Sequence, residues 1–457
     1  MSSDTSLLDD VARRAAAYLT RARVRVVAPP AATVDAASRG LGGPLPAAPS
    51  DAREVVELLD RFAAPATVVN VAGRFYGFVN GGSLPASTAA AWLAAAWDQN
   101  AALRVMSPAA AVLEDVVLEW VRDLFGLPAE TGGALVTGAT MANFTGLAAA
   151  RHALLERAGW DVENDGLFGA PPITVVVGDE VHVSLVKALG LVGFGRRRVQ
   201  RVPVDEQGRM RADALPPLDN RTILCVQAGN VNTGAFDPAR ELSARAHDAG
   251  AWVHVDGAFG LWAACSPRSR HLVEGFADAD SWATDAHKWP NVAYDSGLAL
   301  VRDAEALRGA MSTASAYFVP GEQREPSQYT PEMSRRARGV ELWAALRSLG
   351  RTGLAELVDR TCDHAKAFAD GLRAMGAEIL NDVVINQVLA SFGPPELTRA
   401  VIARIQQDGV CWCGGTEWQG RTAMRVSVSS WATTAEDVAM SLASMRRAVE
   451  ECRSSVR

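Results

Sequence analysis

The sequence predicts an α/β fold: a mostly parallel central sheet in a large domain, followed by a smaller C-terminal α+β domain and preceded by an N-terminal helical arm. Three observations carry this. Short apolar runs recur between residues 134 and 301, and helical patterns separate most of them, as expected for parallel strands covered on both faces. Beyond residue 335 a long helical pattern gives way to short mixed pieces. Before residue 100 the chain is rich in alanine, with no strand pattern. The implied division is 1–100 as the arm, 101–335 as the large domain and 336–457 as the small one.

In chain order, residues 5–25 read as an amphipathic helix, with Leu7, Leu8, Val11, Ala15 and Leu19 at helical spacing. Residues 28–50 are rich in Pro, Ala and Gly and read as an extended arm of the kind that wraps a neighbouring subunit. Ser50 N-caps a helix running to Phe62. Pro85–Asn100 and Pro108–Phe125 form two further helices, Pro108 fitting a first helical turn. A strand at 134–136 turns through Thr137, Gly138, Ala139 and Thr140 into a helix from Met141 to Ala158. Further strands fall at 173–177, 222–226, 251–255, 281–284 and 298–301, with helices at 182–191 and 238–249. The last part reads as a helix from Val340 to Met375, broken near Gly350. Strands follow at 383–391, 408–413 and 422–428, with helices at 395–408 and 434–452.

Bulk properties exclude several classes. Of 457 residues, 49% are hydrophobic and 21% charged, as in ordinary globular proteins. The net charge of −7, with no basic patch, argues against nucleic-acid binding. Six scattered cysteines and the absence of a basic, apolar leader point to reduced thiols and a cytoplasmic protein. Cys411 and Cys413 are too closely spaced for a zinc knuckle, no two histidines stand at i, i+4, and no metal is expected. The longest apolar run, Ala89 to Trp97, is far too short to span a bilayer, so no membrane partner is expected.

Four features sit at expected strand ends, where open α/β sheets place their chemistry. Lys288 follows the 281–284 strand beside Trp282, Trp289 and Pro290; an uncharged amine there can attack a carbonyl and form a Schiff base. Asp256 ends a wholly apolar strand, where a carboxylate needs a cation or donor, and a protonated heteroaromatic nitrogen is one such partner. The helix opened by Gly138, Ala139 and Thr140 offers unpaired N–H groups and a hydroxyl to a phosphate, with no Walker or dinucleotide fingerprint. His182, just past a strand, can stack on a flat ring or cap the following helix. Singly, each also fits an ordinary role: a surface lysine, a carboxylate on a turn, a capped helix, a structural histidine. Together they describe a site for pyridoxal 5′-phosphate.

With Arg74-Phe75-Tyr76-Gly77-Phe78, Ser107-Pro108-Ala109 ahead of Leu113-Glu114, the 137–143 turn, the Gly229 to Asp237 loop and Asp285-Ala286-His287-Lys288-Trp289, the chain resembles the group II pyridoxal-phosphate-dependent amino acid decarboxylases. That family includes the aromatic-L-amino-acid and glutamate decarboxylases. The likeness runs over residues 50–445, and the 32-residue separation of Asp256 from Lys288 matches it. It implies the PLP-dependent transferase fold type I, a homodimer, and decarboxylation of an L-amino acid to the corresponding amine through a Schiff base on Lys288. By the same resemblance, Asp256 pairs with the ring nitrogen, Ala258 packs on one ring face and His182 on the other. Ala139 and Thr140 bind the phosphate, while His287 and Asp285 lie near it and order the lysine loop, Asp285 accepting from backbone N–H groups. Tyr317, 29 residues past Lys288, falls where the family's proton-donating loop tyrosine lies.

There are departures. Gly229-Asn230-Val231 stands where the family often has Gly-Thr-Thr, so Asn230 or Asn232 takes the place of a missing hydroxyl at the cofactor's 3′ oxygen. Asn80-Gly81 replaces Pro-Thr of some members. Phe78, Asn80 and Ser107 are the candidate substrate residues, Trp97 and Phe318 further aromatic ones, and Arg74 and Arg104 candidate clamps for a side-chain carboxylate. Transamination, carbon–carbon lyase chemistry and decarboxylative oxidation use the same scaffold, and a non-catalytic dimeric homologue is the alternative of a different kind.

Overall fold

A computed structural model of the chain describes residues 5–313 and 323–456. Tyr317 and Phe318 lie outside the described residues. The chain divides into two compact units, one of Met1–Gly82, Ala367–Ile379 and Ala390–Arg457, the other of Ser83–Lys366 and Leu380–Leu389. Among the described residues, no helix is long and apolar enough to cross a membrane.

The first unit begins with helices α1 (Thr5–Ala22), α2 (Ala31–Leu41) and α3 (Ala52–Leu58). The helix α2 replaces the extended arm expected at 28–50. Averaged over that window the composition is that of a coil, but the breakers cluster at its ends, with Pro29 and Pro30 before the helix and Gly42 and Gly43 after it. Proline is tolerated at a helix start, and glycine marks its exit. The cap of α3 is Asp51 rather than Ser50; its carboxylate accepts the Arg53 N–H at 2.8 Å.

The second unit holds the large sheet. Its helices are α4 (Pro85–Trp97), α5 (Pro108–Phe125), α6 (Ala139–Arg157), α7 (Val162–Asp165), α8 (Val183–Leu191), α9 (Ala239–Asp248) and α10 (Ala304–Met311). Its strands are β1 (Gly132–Val136), β2 (Thr174–Gly178), β3 (Gln200–Val202), β4 (Thr222–Gln227), β5 (Trp252–Asp256), β6 (Ser281–Asp285) and β7 (Gly297–Val301), in the spatial order β1-β7-β6-β5-β4-β2-β3. All neighbours pair in parallel except β7, which runs antiparallel to both β1 and β6. β4, β5, β6 and β7 are buried along their whole length, which is why they read as unbroken apolar runs rather than alternating ones. α6 packs across β5, β6 and β7, with most of its residues buried.

The helix α11 (Gly339–Ala374) breaks at Gly350, whose φ of 60° takes it out of the helical region. The second sheet is antiparallel where its pairs are defined: β8 (Glu378–Ile379) with β9 (Gln387–Ser391), and β10 (Gly414–Trp418) with β11 (Arg421–Ser427). The helices α12 (Pro395–Asp408) and α13 (Ala435–Val456) follow β9 and β11. The strand expected at 408–413 falls instead at β10. The preceding stretch is used differently: Tyr76 N–H donates to the Trp412 carbonyl at 2.8 Å and Trp412 N–H to the Arg74 carbonyl at 3.0 Å. Tyr76 is buried, edge-on to Phe368 with ring centroids 4.8 Å apart.

Glu114 of α5 anchors β1. Its carboxylate accepts from Arg335 at 2.5 and 3.2 Å and from Arg324 at 2.8 Å. The same guanidiniums donate to the main-chain carbonyls of Leu135 and Gly133. Burial raises the carboxyl and the two guanidiniums more than reverse it, leaving Glu114 below its ordinary range. Removing one member of a buried ion cluster strands the others. Glu114→Ala is therefore expected to cost about 3–5 kcal/mol in chemical denaturation; a loss under about 1 kcal/mol, as at exposed pairs, would contradict the anchoring role.

Candidate active site

The carboxyl ends of β1, β2, β4, β5 and β6 carry the residues of interest, all within the second unit. After β1 the chain turns through Gly138 into α6. In the sheet, Gly297 of β7 lies between Val136 of β1 and Asp285 of β6. A Cβ on Gly297 would stand 2.4 Å from Gly138 Cα, so this close approach requires glycine. The first N–H of α6, from Ala139, donates to Asp285 Oδ1 at 2.6 Å. The N–H groups of Thr140 and Met141, which have no acceptor within the helix, remain at its positive end with the Thr140 hydroxyl.

Asp256 ends β5 and is 4% exposed. Its carboxylate accepts from Asn143 Nδ2 and from Ala258 N–H, each at 3.3 Å. Burial pushes it up, while the charges of His182 and Lys288 and these two donors pull it down; the net direction is up. The structure thus brings Asp256, His182 and Lys288 within electrostatic reach of one another.

Behind Asp256 runs a directional chain of hydrogen bonds. A carboxylate only accepts, so the Asn143 amide turns Nδ2 toward it and Oδ1 away. Asn143 Oδ1 lies 2.8 Å from His254 Nε2, which must therefore carry the proton. His254 Nδ1 then accepts from the Ser281 hydroxyl at 2.8 Å, and Ser281 accepts from the Trp252 indole N–H at 2.9 Å. Every donor points toward Asp256. Burial pushes His254 down to about 3, in keeping with a neutral ring.

His182 caps α8: its Nδ1 accepts the Ser184 N–H at 3.2 Å, with the Ser184 hydroxyl 2.7 Å away. The cap fixes the orientation of the ring. Lys288, in the loop after β6, places Nζ 3.1 Å from Asp285 Oδ2. His287 Nδ1 accepts the Ser296 N–H at 3.2 Å, and its ring lies 4.4 Å from that of Tyr294. Burial lowers His287, which stays neutral with its proton on Nε2, 3.6 Å from Asp285 Oδ1. Ala258 links the two strand ends: its N–H reaches Asp256 and its carbonyl accepts the Asp285 N–H at 2.9 Å. Asn230, 1% exposed, accepts the Asn232 and Thr233 N–H groups through Oδ1, while its Nδ2 has no partner among the described residues.

The candidate substrate residues are not all in this unit. Phe78 and Asn80 belong to the first, where Phe78 is 62% exposed and stacks on Trp412 at 5.4 Å. Ser107 is fully buried in the second, its hydroxyl donating to the Asn100 carbonyl at 2.7 Å. Arg74 donates to the Arg23 carbonyl and Arg104 pairs with Asp115, so both guanidiniums already serve the protein's own acceptors. Sequence reasoning missed Asn143, Ser281 and Gly297. The legible signal was Asn143 itself, an amide in the otherwise small and apolar opening of α6. Among the described residues, no group of three or more His, Cys, Asp or Glu side chains is placed to hold a metal ion.

Residues 45–392 match the family model described as the pyridoxal-dependent decarboxylase conserved domain. The chain is 25% identical over 427 residues to an aromatic-L-amino-acid decarboxylase of Bacillus atrophaeus, covering 88% of this chain and 86% of the relative. It is 26% identical over 316 residues to an L-2,4-diaminobutyrate decarboxylase of Acinetobacter baumannii, covering 64% and 60%. The crystal structure of Oryza sativa TDC with PLP and tryptamine superposes with a TM-score of 0.90 at 23% identity, covering 99% of each chain. The fold type I architecture expected from the sequence is the one observed.

The neutral, buried His254 makes a prediction about pH. Its folded-state value lies below that of the unfolded chain, so between pH 6.5 and about 3 the unfolded state binds the extra proton. Its contribution to stability is present above 6.5 and is lost as the pH falls through that window, at about 1.4 kcal/mol per pH unit. In denaturation curves across this range, His254→Asn should flatten the pH slope by that amount relative to wild type. Identical slopes would show that His254 is not held neutral.

Proposed function

Because the chain belongs to the pyridoxal-dependent decarboxylase family and is a pyridoxal-phosphate-dependent carboxy-lyase, we propose that it removes the α-carboxylate of an L-amino acid to give the corresponding amine, with Lys288 as the lysine that bonds to the cofactor. The observation that carries this reading is the meeting of Lys288, Asp256 and His182 at the carboxyl ends of β6, β5 and β2, on the side of the sheet where α6 starts.

The residues present fit pyridoxal phosphate. Asp256 is a buried carboxylate satisfied only by two long contacts from neutral donors, which suits a partner bearing N⁺–H. Asn230 Nδ2 is a buried donor in want of an acceptor, as the cofactor's phenolic oxygen would be. Thr140 and Met141 supply N–H groups to a phosphate. When bound, the cofactor supplies an electron sink for the pair left on Cα as carbon dioxide departs.

The chain's own residues do the rest. Asp256 keeps a proton on the ring nitrogen, and the relay from Trp252 to Asn143 keeps the Asp256 carboxylate oriented. His182, its ring fixed by the α8 cap, covers one face of the flat group, and Ala258 lies on the other. Lys288 would hold the cofactor through its aldehyde carbon, and its amine would take that carbon back as the product amine leaves. Tyr317 or His182 returns a proton to Cα. Ala139, His287 and Asp285 order the phosphate end. Phe78, Asn80 and Ser107 shape the substrate's surroundings, and the working form is a homodimer. Relatives named for aromatic amino acids support testing tryptophan, tyrosine and DOPA first, with diaminobutyrate next.

Lys288→Ala should abolish the visible absorbance of lysine-bound pyridoxal phosphate and lower carbon dioxide release on the order of a thousandfold or more. A variant that kept the visible band would remove Lys288 from its role. Carbon dioxide, keto acid and hydrogen peroxide should be measured separately in the wild-type protein; amine and carbon dioxide in equal amounts are expected, and predominant keto acid or peroxide would assign a different reaction to the same residues.

A further inference from the structure

Asp285 already takes one of the helix-start N–H groups beside which a phosphate would sit. It is 2% exposed. Its Oδ1 takes the first N–H of α6 at 2.6 Å, and its Oδ2 lies 3.1 Å from Lys288 Nζ. The helix start therefore already holds one anion, and Lys288 is the ammonium paired with it among the described residues. The titratable neighbours on the lysine loop itself carry no offsetting charge. His287 is locked neutral by the Ser296 N–H on its Nδ1. Tyr294, its ring tilted against that of His287, is pushed up to about 12 by burial and stays a phenol. Asp295 and Asp256, on the flanking loop and strand, are acidic and supply no positive charge.

A phosphate ester carries close to two negative charges above about pH 7. Bringing it to the α6 start sets three negative charges against one ammonium in a buried place. Like charges held close in a low dielectric do not all stay ionised; one group takes a proton. The carboxylate is the more readily protonated partner once the phosphate takes the Thr140 and Met141 N–H groups and faces the positive end of the helix.

We propose that Asp285 takes up a proton when the cofactor's phosphate enters the α6 start, and that it is a positioning residue whose neutral form frees Lys288 from its carboxylate partner. The proton comes from solvent and goes to Oδ2, Oδ1 remaining the acceptor of the Ala139 N–H, and no bond of the cofactor is made or broken. The inference rests on the reading of the α6 start as the phosphate seat.

The test uses pyridoxine 5′-phosphate, which lacks the aldehyde and forms no bond to Lys288. Calorimetric titration of the cofactor-stripped, full-length protein between about pH 7 and 8, in buffers of differing ionisation heat, counts protons taken up where the phosphate is already dianionic. Wild type should take up about one proton more than Asp285→Asn, and its affinity should weaken about tenfold per pH unit relative to that variant. Protons taken up at the ring nitrogen beside Asp256, or at His182, enter both proteins equally and cancel. Equal uptake in the two proteins would overturn the proposal. So would a wild-type count near zero, which needs no variant to fold. If neither protein bound the probe, the phosphate seat itself, and the cofactor reading built on it, would fail instead.

Discussion

A carboxylate buried at the end of a central strand is the constraint on which this site depends. Asp256 is nearly sealed from water, and an ion so placed costs several kcal/mol unless its lone pairs are satisfied. The protein answers in two ways. A one-directional chain of donors from Trp252 through Ser281, His254 and Asn143 ends on its oxygen. On the proposed reading, the cationic group that completes the pairing comes from the ligand. A site made only of neutral donors at 3.3 Å is under-satisfied, and that deficit favours a ligand bearing a positive N–H over one that is merely flat.

The relay also explains why so much of the fold is fixed around one residue. Trp252, His254 and Asp256 come from β5, Ser281 from β6, and Asn143 from α6. Misregister of β5 against β6 by a single residue would turn His254 and Asp256 to the opposite faces and break the chain. The hydrogen bonds that orient the carboxylate therefore also report the strand register. Gly146, one turn along α6 from Asn143, has no side chain because a Cβ there would stand 2.8 Å from His254 Cε1. A polar relay, a strand pair and a helix packing distance are satisfied together or not at all.

Much of this was legible in the sequence, for identifiable reasons. Strands buried on both faces read as continuous apolar runs, so the large sheet and its mostly parallel course could be read from residues alone. Lys288, Asp256 and His182 each fit an ordinary role singly and stood out only in combination, as polar groups at the ends of strands in one sheet. What escaped notice lacked a local signature. The reversed direction of β7 is set by its pairing with β1 and β6, which a five-residue apolar run does not encode. Helix α2 was hidden by averaging over its own end signals. Asn143 and Gly297 matter through partners more than 100 residues away, His254 and Gly138, and nothing near them in the chain announces it.

The reversal of β7 bears on how Lys288 is held. Because β6 and β7 are adjacent and antiparallel, the lysine loop is a closed connection between paired strands rather than the entry to a crossover helix. Its ends are pinned by Ala286 and His287 N–H groups on the Ser296 carbonyl, and its middle by the Asn291 N–H on the Lys288 carbonyl and the Val292 N–H on that of Ala286. The indole of Trp289 is tied to Thr361 at 2.8 Å. The main chain at Lys288 has little freedom left to lose, so the cost of positioning the amine falls on its side chain alone. A flexible four-carbon stem on a fixed root suits a residue that must both hold a ligand and let it go. Asp285, three residues from Lys288, stands at the head of the same pinned loop, its Oδ1 on the Ala139 N–H and its Oδ2 3.1 Å from the Lys288 amine.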